Sequence, residues 1–285
     1  MTQAQIKAKF WEINGDKVKC VLCPHYCVIA DNHTGICGAR RNIGGELIAE
    51  NYGQITSFAL DPIEKKPLYH FRPGSKILSA GSYGCNMRCA FCQNYGISQI
   101  HAESEYITPD KLVELAYNTP DNTGVAFTYN EPTIGIEYII DSAPLIKQNG
   151  QSLVLVSNGQ INPKPIIELL PLVDAWNIDI KAFNPEFYKK QSGHLETAKH
   201  TVEAAAQVSH VEITTLIIPG ENDGEDEIIA LVRWLADISP DIPFHLSRFF
   251  PRYKMTDKSP TPKEKLFRLA ERAKRFLKFV YIGNI

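Results

Sequence analysis

"SLVLVSNGQINPKPIIELLPLVDAWNIDI", residues 152–180, reads as strand, helix, strand. Residues 152–158 are an almost unbroken apolar run, the pattern of a strand buried on both faces. Asn162 followed by Pro163 sets an N-cap residue before a proline at the first helical position, so a helix starts there. Residues 174–180 return to a short, largely apolar run. Two buried strands joined by a helix run parallel, because parallel neighbours need a crossover of this kind.

The same unit recurs on both sides. Short apolar or β-branched runs stand at 76–81, 124–129, 210–219, 243–249 and 278–283. Helical patterns separate them, with starts at Thr108-Pro109 and Asn184-Pro185, and with "TPKE" at 261–264 predicting a capping box. Six or seven such units, with no glycine-rich dinucleotide turn after the first strand, predict an α/β fold: a full or partial (β/α) TIM-type barrel over residues 76–285. Residues 1–75 are rich in Cys, Gly and Asn and predict a small Cys-rich N-terminal module with little core of its own. In such a barrel the chemistry lies at the C-terminal ends of the strands.

The charge balance is nearly neutral, 30 Lys and Arg against 32 Asp and Glu. Without a basic run there is no electrostatic footprint for nucleic acid or for an anionic membrane surface. No apolar run approaches the ~18 residues that span a bilayer, and the start carries no secretory h-region. The expectation is a cytoplasmic protein. In a reducing compartment clustered cysteines read as metal ligands or redox groups, and all seven lie before residue 93.

Three of them, Cys85, Cys89 and Cys92, follow directly on the strand at 76–81, within "GSYGCNMRCAFCQNYG". Thiolates suit zinc or an iron–sulfur cluster. Four would close a structural site; three leave one position open for an exogenous ligand. Catalytic zinc usually recruits His, and none lies in this loop.

The C-x3-C-x2-C spacing, with Phe91 just before the last cysteine, resembles the signature loop of radical S-adenosylmethionine (radical SAM) enzymes. That resemblance implies a [4Fe-4S] cluster on Cys85, Cys89 and Cys92, with SAM on the fourth iron, cleaved reductively to methionine and a 5'-deoxyadenosyl radical. It implies an external one-electron donor of the flavodoxin or ferredoxin type. "FTYNEPT" occupies the place of the family's Gly-Gly-Glu segment, so Glu131 and the carbonyls of Thr128, Tyr129 and Asn130 would receive the SAM ammonium. The departure is Tyr-Asn where the family often has Gly-Gly. Glu131 also fits a plain helix start. "VSNG" and "NIDIK" look like the SAM-binding segments of pyruvate formate-lyase activating enzymes, which implies Ser157 and Asn158 on the ribose and Asp179 and Lys181 on ribose and carboxylate. An internal salt bridge is the other reading of Asp179 and Lys181. Ile218 would pack on adenine, and His245 and Arg248 would face substrate. Together with "DPIEKKPLYHFRPG" (61–74) and "HLSRFFPRYKM" (245–255), these segments are similar to the AmmeMemoRadiSam-system radical SAM enzymes, whose partners are of the Memo and AMMECR types.

A second group, Cys20, Cys23, Cys27 and Cys37, is spaced C-x2-C-x3-C-x9-C. Four thiolates fit either a structural zinc or an auxiliary iron–sulfur cluster, and His25 and His33 are alternative ligands. Three functional readings follow: a radical SAM enzyme of unidentified substrate, a glycyl-radical-enzyme activase, or a zinc-stapled protein- or nucleic-acid-interaction module. Only the third leaves the three-cysteine loop without a purpose.

Overall fold

The structure, a computed structural model, describes residues 5–100 and 102–285. Its centre is an eight-stranded sheet whose neighbours follow chain order. The strands are β1 (Ser57–Pro62), β2 (Lys76–Gly81), β3 (Asn122–Phe127), β4 (Ser152–Ser157), β5 (Ala175–Asp179), β6 (His210–Ile217), β7 (Phe244–Arg248) and β8 (Val280–Gly283). From β2 to β8 every pairing is parallel. Strand β1 runs antiparallel along β2, Ser57 opposite Gly81 and Asp61 opposite Ile77. The sheet ends on β1 and β8, which do not pair with each other, so the barrel is a partial one.

Helices α1 (Pro109–Asn118), α2 (Ile136–Gln148), α3 (Pro163–Leu169), α4 (Pro185–Lys190), α5 (Leu195–Ala206), α6 (Glu225–Ile238) and α7 (Lys263–Ala273) fill the crossovers. Their apolar spacing explains which face they bury. In α6 Ile228, Leu231, Val232 and Leu235 are buried, and in α7 Leu266, Leu269, Ala270 and Ala273, the i, i+3, i+4, i+7 stripe of a helix lying on a sheet. Thr108 and Asn184 cap α1 and α4 through their side chains, accepting from Lys111 N and from Glu186 N and Phe187 N. The capping box expected at 261–264 does not form. Helix α7 starts two residues beyond Thr261, and the Thr261 hydroxyl instead donates to Ile217 O at 2.6 Å and accepts from Phe249 N at 3.1 Å, tying β6 to the chain beyond β7.

The segment between β1 and β2 closes the N-terminal end of the barrel. Ile63 and Leu68 pack with Ile77, Ala126, Val154 and Ala175 from four adjacent strands. Fully buried Glu212, near the start of β6, accepts His70 N at 2.7 Å and hydrogen-bonds His210 Nε2 at 2.9 Å and His245 Nε2 at 2.7 Å.

Before β1 the chain forms a small antiparallel sheet (Trp11–Asn14, Lys17–Cys20, Val28–Ile29) and a hairpin (Arg40–Ile43, Glu46–Ala49). The hairpin turns on Gly44 and Gly45, both with positive φ, as a two-residue turn matched to strand twist requires. Buried Arg40 joins this region to the barrel. Its guanidinium donates to both Glu137 oxygens, at 2.6 and 2.7 Å, to Ile134 O at 3.1 Å and to Lys9 O at 2.9 Å. Among the described residues no helix is long and apolar enough to cross a membrane.

Candidate active site

The three-cysteine loop leaves the C-terminal end of β2 and is fastened by backbone bonds to distant parts of the chain. Cys85 N donates to Cys37 O at 3.2 Å, Arg88 N to Gln191 O at 2.8 Å and Lys254 N to Ala90 O at 2.9 Å. The Arg88 guanidinium reaches Cys85 O and Ile36 O, and the Asn86 side chain donates to Gln160 O at 2.8 Å. Gly84 has φ +85°, and a Cβ there would sit 2.5 Å from Cys37 O, so only glycine lets the loop approach the N-terminal cysteines this closely.

All three cysteines line one open cavity of about 260 Å³ at the mouth of the barrel. Cys85 Sγ accepts from Met87 N at 3.4 Å and lies 3.6 Å from Asn158 Nδ2, while Cys92 Sγ is 3.1 Å from the Ser98 hydroxyl. Burial, then Glu131 and the neighbouring thiols, push Cys85 well above its ordinary value. Burial likewise raises Cys89 to about 12, although Lys181 works against it. Phe91 lines the same cavity and stacks on Phe187 at 6.0 Å.

The ends of β3, β4 and β5 supply the opposite wall. Thr128, Tyr129, Asn130 and Glu131 follow β3 and all four line the cavity. Glu131 is 2% exposed. Its Oε1 accepts from Thr133 N at 3.0 Å, Thr133 Oγ1 at 2.7 Å and Ser157 Oγ at 2.8 Å, and its Oε2 from Asn158 N at 2.7 Å. The carboxylate thus starts a short 3-10 turn, the helix-start reading of Glu131, and also cross-links β3 to β4. Burial raises its pKa despite these bonds, and Oε2, with a single protein donor, has acceptor capacity left. Ser157 and Asn158 line the cavity. Asp179 and Lys181 do so too, as an ion pair of 2.8 Å. Burial alone would lower the Lys181 ammonium, but Asp179 and then Cys89 raise it above its ordinary value.

Three expected contacts lie elsewhere. Ile218 is wholly buried outside the cavity, because the chain turns after β6 and Ile218 N donates to Asn222 Oδ1 at 2.7 Å; Leu216 lines the cavity instead. His245 belongs to the Glu212 cluster near the starts of β6 and β7 and packs on Tyr69 at 4.7 Å. Arg248 donates to Thr261 O at 2.8 Å and covers Phe250. The β7 residue on the cavity wall is Ser247, which accepts from Asn284 Nδ2 at 3.1 Å. The sequence carries half of its signal: 245 and 247 share one face of a strand, and which of them reaches the mouth depends on the strand ending at Arg248.

The N-terminal cysteines gather beside this site. Cys20, Cys23 and Cys37 are buried, and the charges of neighbouring thiols, Cys27 among them, help to raise the pKa of all three. Burial first brings Cys23 to about 12 and Cys37 to about 11 and raises Cys20, with Arg40 opposing it in part at Cys20 and Cys37. His25 and His33 are engaged by backbone carbonyls, Asn86 O at 2.6 Å and Asp31 O at 2.8 Å. Among the described residues no three Cys, His, Asp or Glu side chains converge tightly enough for a single metal ion.

Residues 80–232 match the Radical SAM superfamily family model. An uncharacterised protein of Methanocaldococcus jannaschii is 42% identical over 98% of this chain and 85% of its own. The pyruvate formate-lyase 1-activating enzyme of Escherichia coli K12 is 26% identical over 54% of this chain and 66% of its own. Among solved structures, a radical SAM methyltransferase from Sphaerobacter thermophilus superposes with TM-score 0.56 at 13% identity, covering 75% of this chain and 67% of that one. TYW1 with a lysine-pyruvate adduct superposes with TM-score 0.55 at 17% identity, covering 77% and 83%. These likenesses, on a partial barrel whose mouth carries the three-cysteine loop, show that the chain belongs to the radical SAM superfamily and is related to the pyruvate formate-lyase activating enzymes.

Proposed function

We propose that the protein is a radical SAM enzyme in which Cys85, Cys89 and Cys92 hold a [4Fe-4S] cluster and the ends of β3, β4 and β5 hold SAM. The observation that carries this reading is convergence: three thiols, a buried carboxylate, Ser157 with Asn158, and an Asp–Lys pair, from the four successive strand ends of β2 to β5, line one cavity. The donor set fits the group. Soft thiols suit iron–sulfur chemistry, and all three line the same cavity. When bound, cluster and SAM supply one-electron cleavage of the sulfonium bond and a 5'-deoxyadenosyl radical for hydrogen abstraction, the electron coming from a flavodoxin- or ferredoxin-type donor.

The chain's own residues then have distinct tasks. Glu131 Oε2, together with the carbonyls of the Thr128–Asn130 turn, accepts the SAM ammonium. Lys181, kept protonated by Asp179, offers a fixed positive charge to its carboxylate. Ser157 and Asn158 present polar groups to the ribose, and Leu216 gives an apolar surface beside them. Glycyl-radical-enzyme activation is the second reading, favoured by the names of the relatives.

Beside this centre Cys20, Cys23, Cys27 and Cys37 are the ligands we assign to a second metal group, another iron–sulfur cluster or a zinc on which the four thiols would have to draw together. The test is anaerobic reconstitution of the whole chain, with iron, sulfide and zinc counted. The electron paramagnetic resonance of the reduced cluster is then recorded with and without SAM. A SAM-dependent change of signal, lost in Cys92→Ala, is the expected result; an unchanged signal refutes the proposal. Iron for one cluster plus one zinc, the zinc lost in Cys23→Ser, assigns the second site to zinc; iron for two assigns a second cluster.

A further inference from the structure

Tyr129 takes a backbone conformation that glycine adopts far more readily than any residue with a side chain. Its φ is +71°, and Asn130 N donates to Thr128 O at 3.0 Å, so Tyr129 is the middle residue of a γ-turn of the rare, strained hand. A left-handed residue with a side chain is disfavoured by on the order of tenfold in population, so something must hold it there. The ring enters a prepared place. A Cβ on Gly81 would lie 2.8 Å from Tyr129 Cδ2, which leaves glycine as the residue that admits the ring. The Tyr129 hydroxyl donates to Asp61 Oδ2 at 2.7 Å, Lys66 Nζ donates to the same oxygen at 2.8 Å, and the Lys66 ammonium lies 4.5 Å from the ring centroid. Asp61 is 8% and Lys66 3% exposed. A buried, paired lysine and aspartate away from the cavity are costly to keep for stability alone. Neither Asp61 nor Lys66 lines the cavity, whereas Tyr129 does.

We propose that Asp61 and Lys66 are positioning residues: they clamp the Tyr129 side chain and so hold the Thr128–Asn130 turn in the conformation that presents its carbonyls to the ammonium of SAM. The inference rests on the cavity being a SAM site. The clamp replaces, with three side chains from two distant segments, the conformational freedom that a glycine would supply by itself. It also gives "DPIEKKP" a task, since Asp61 closes β1 and Lys66 follows the helical turn at Ile63–Lys65. The turn is further pinned by Asn94 Nδ2, which donates to Tyr129 O at 2.8 Å, and by Ser82 N, which donates to Asn130 Oδ1 at 3.1 Å.

The test measures SAM affinity on the reconstituted full-length protein, by titration of the reduced cluster's resonance, with iron content and thermal melting recorded for each variant. Asp61→Asn and Tyr129→Phe are each expected to weaken SAM binding about tenfold with iron content unchanged. In a Tyr129→Gly background, where the turn needs no clamp, adding Asp61→Asn is expected to change affinity less than twofold. If Asp61→Asn weakens binding equally in both backgrounds, or if Tyr129→Phe binds like wild type, the clamp is overturned. If Asp61→Asn melts too low to assay, Tyr129→Phe decides, because it keeps the ring over Lys66 and removes one hydroxyl. A wild-type protein that holds its iron but gives no SAM response overturns the reading of the cavity itself, an outcome separate from either of these.

Discussion

Glu131→Gln separates the structural from the ligand-binding work of one carboxylate. Three donors converge on Oε1 and one, Asn158 N, on Oε2. The amide keeps its oxygen where the three donors meet and turns its NH2 toward Asn158 N–H. One buried backbone donor is then left facing another donor, a cost of about 1–3 kcal/mol. For a chain of 285 residues that is a fall in melting temperature of about 2–5 °C. The loss of charge at the cavity wall has a larger consequence. A hydrogen bond from an ammonium to a carboxylate contributes about 1.5–3 kcal/mol, so SAM affinity drops about 10- to 100-fold. The assay is titration of the reconstituted protein with SAM, alongside iron counting and thermal melting. The pH dependence provides an internal control. Burial raises the Glu131 pKa above its ordinary 4.5, so wild-type affinity weakens on acidification from above that value, whereas the Gln variant lacks this component. SAM affinity within twofold of wild type, with iron intact, would refute the assignment of Glu131 to the ligand.

Arg40→Ala leaves the Glu137 carboxylate, 3% exposed, without its bidentate partner; chemical denaturation should register a loss of about 3–5 kcal/mol, and a loss under 1 would contradict the burial argument. Gly84→Ala combines a strained φ of +85° with a Cβ 2.5 Å from Cys37 O. It should lower the iron retained after reconstitution and raise the electron paramagnetic linewidth of what remains; wild-type iron content would mean the loop has slack. Glu212 gives a pH signature: burial opposes its ionisation, but His210 and His245 hold its pKa to about 2, from an ordinary 4.5. Its folded pKa is depressed, so its stabilisation, about 3 kcal/mol, is present above pH 4.5 and disappears as the pH falls toward 2. Unfolding free energies of wild type and Glu212→Gln compared across that range should converge at the acid end; parallel curves would refute the coupling.

The parallel strands were legible because each is buried on both faces and reads as a continuous apolar run, as at 152–157 and 175–179. The three-cysteine loop was legible from spacing and from its place after β2. Strand β1 was not, because an antiparallel edge strand alternates, and "SFALDP" lacks the uninterrupted apolar signature. The contacts assigned to β6 and β7 show a second limit. Residues 216 and 218 have the same parity, as do 245 and 247, but parity gives the face of a strand and not the height along the barrel. Height depends on where pairing stops, at Ile217 and Arg248, and on the turn that follows. Thr261 shows a third, since a hydroxyl placed for an N-cap found two strand-end partners within reach and took those. The γ-turn at Tyr129 lies beyond local reading altogether, because the side chains that meet its ring, Asp61 and Lys66, are more than sixty positions away in sequence.

The most direct measurement is mass-spectrometric detection of 5'-deoxyadenosine and methionine after the anaerobically reconstituted, dithionite-reduced protein is incubated with SAM, beside Cys92→Ala treated identically. Equimolar deoxyadenosine and methionine from the wild type, and none from the variant, is the result this account predicts. Reduced protein with a full complement of cluster iron that leaves SAM intact, or a Cys92→Ala variant that cleaves it as the wild type does, would contradict the claim that this cavity houses radical SAM chemistry.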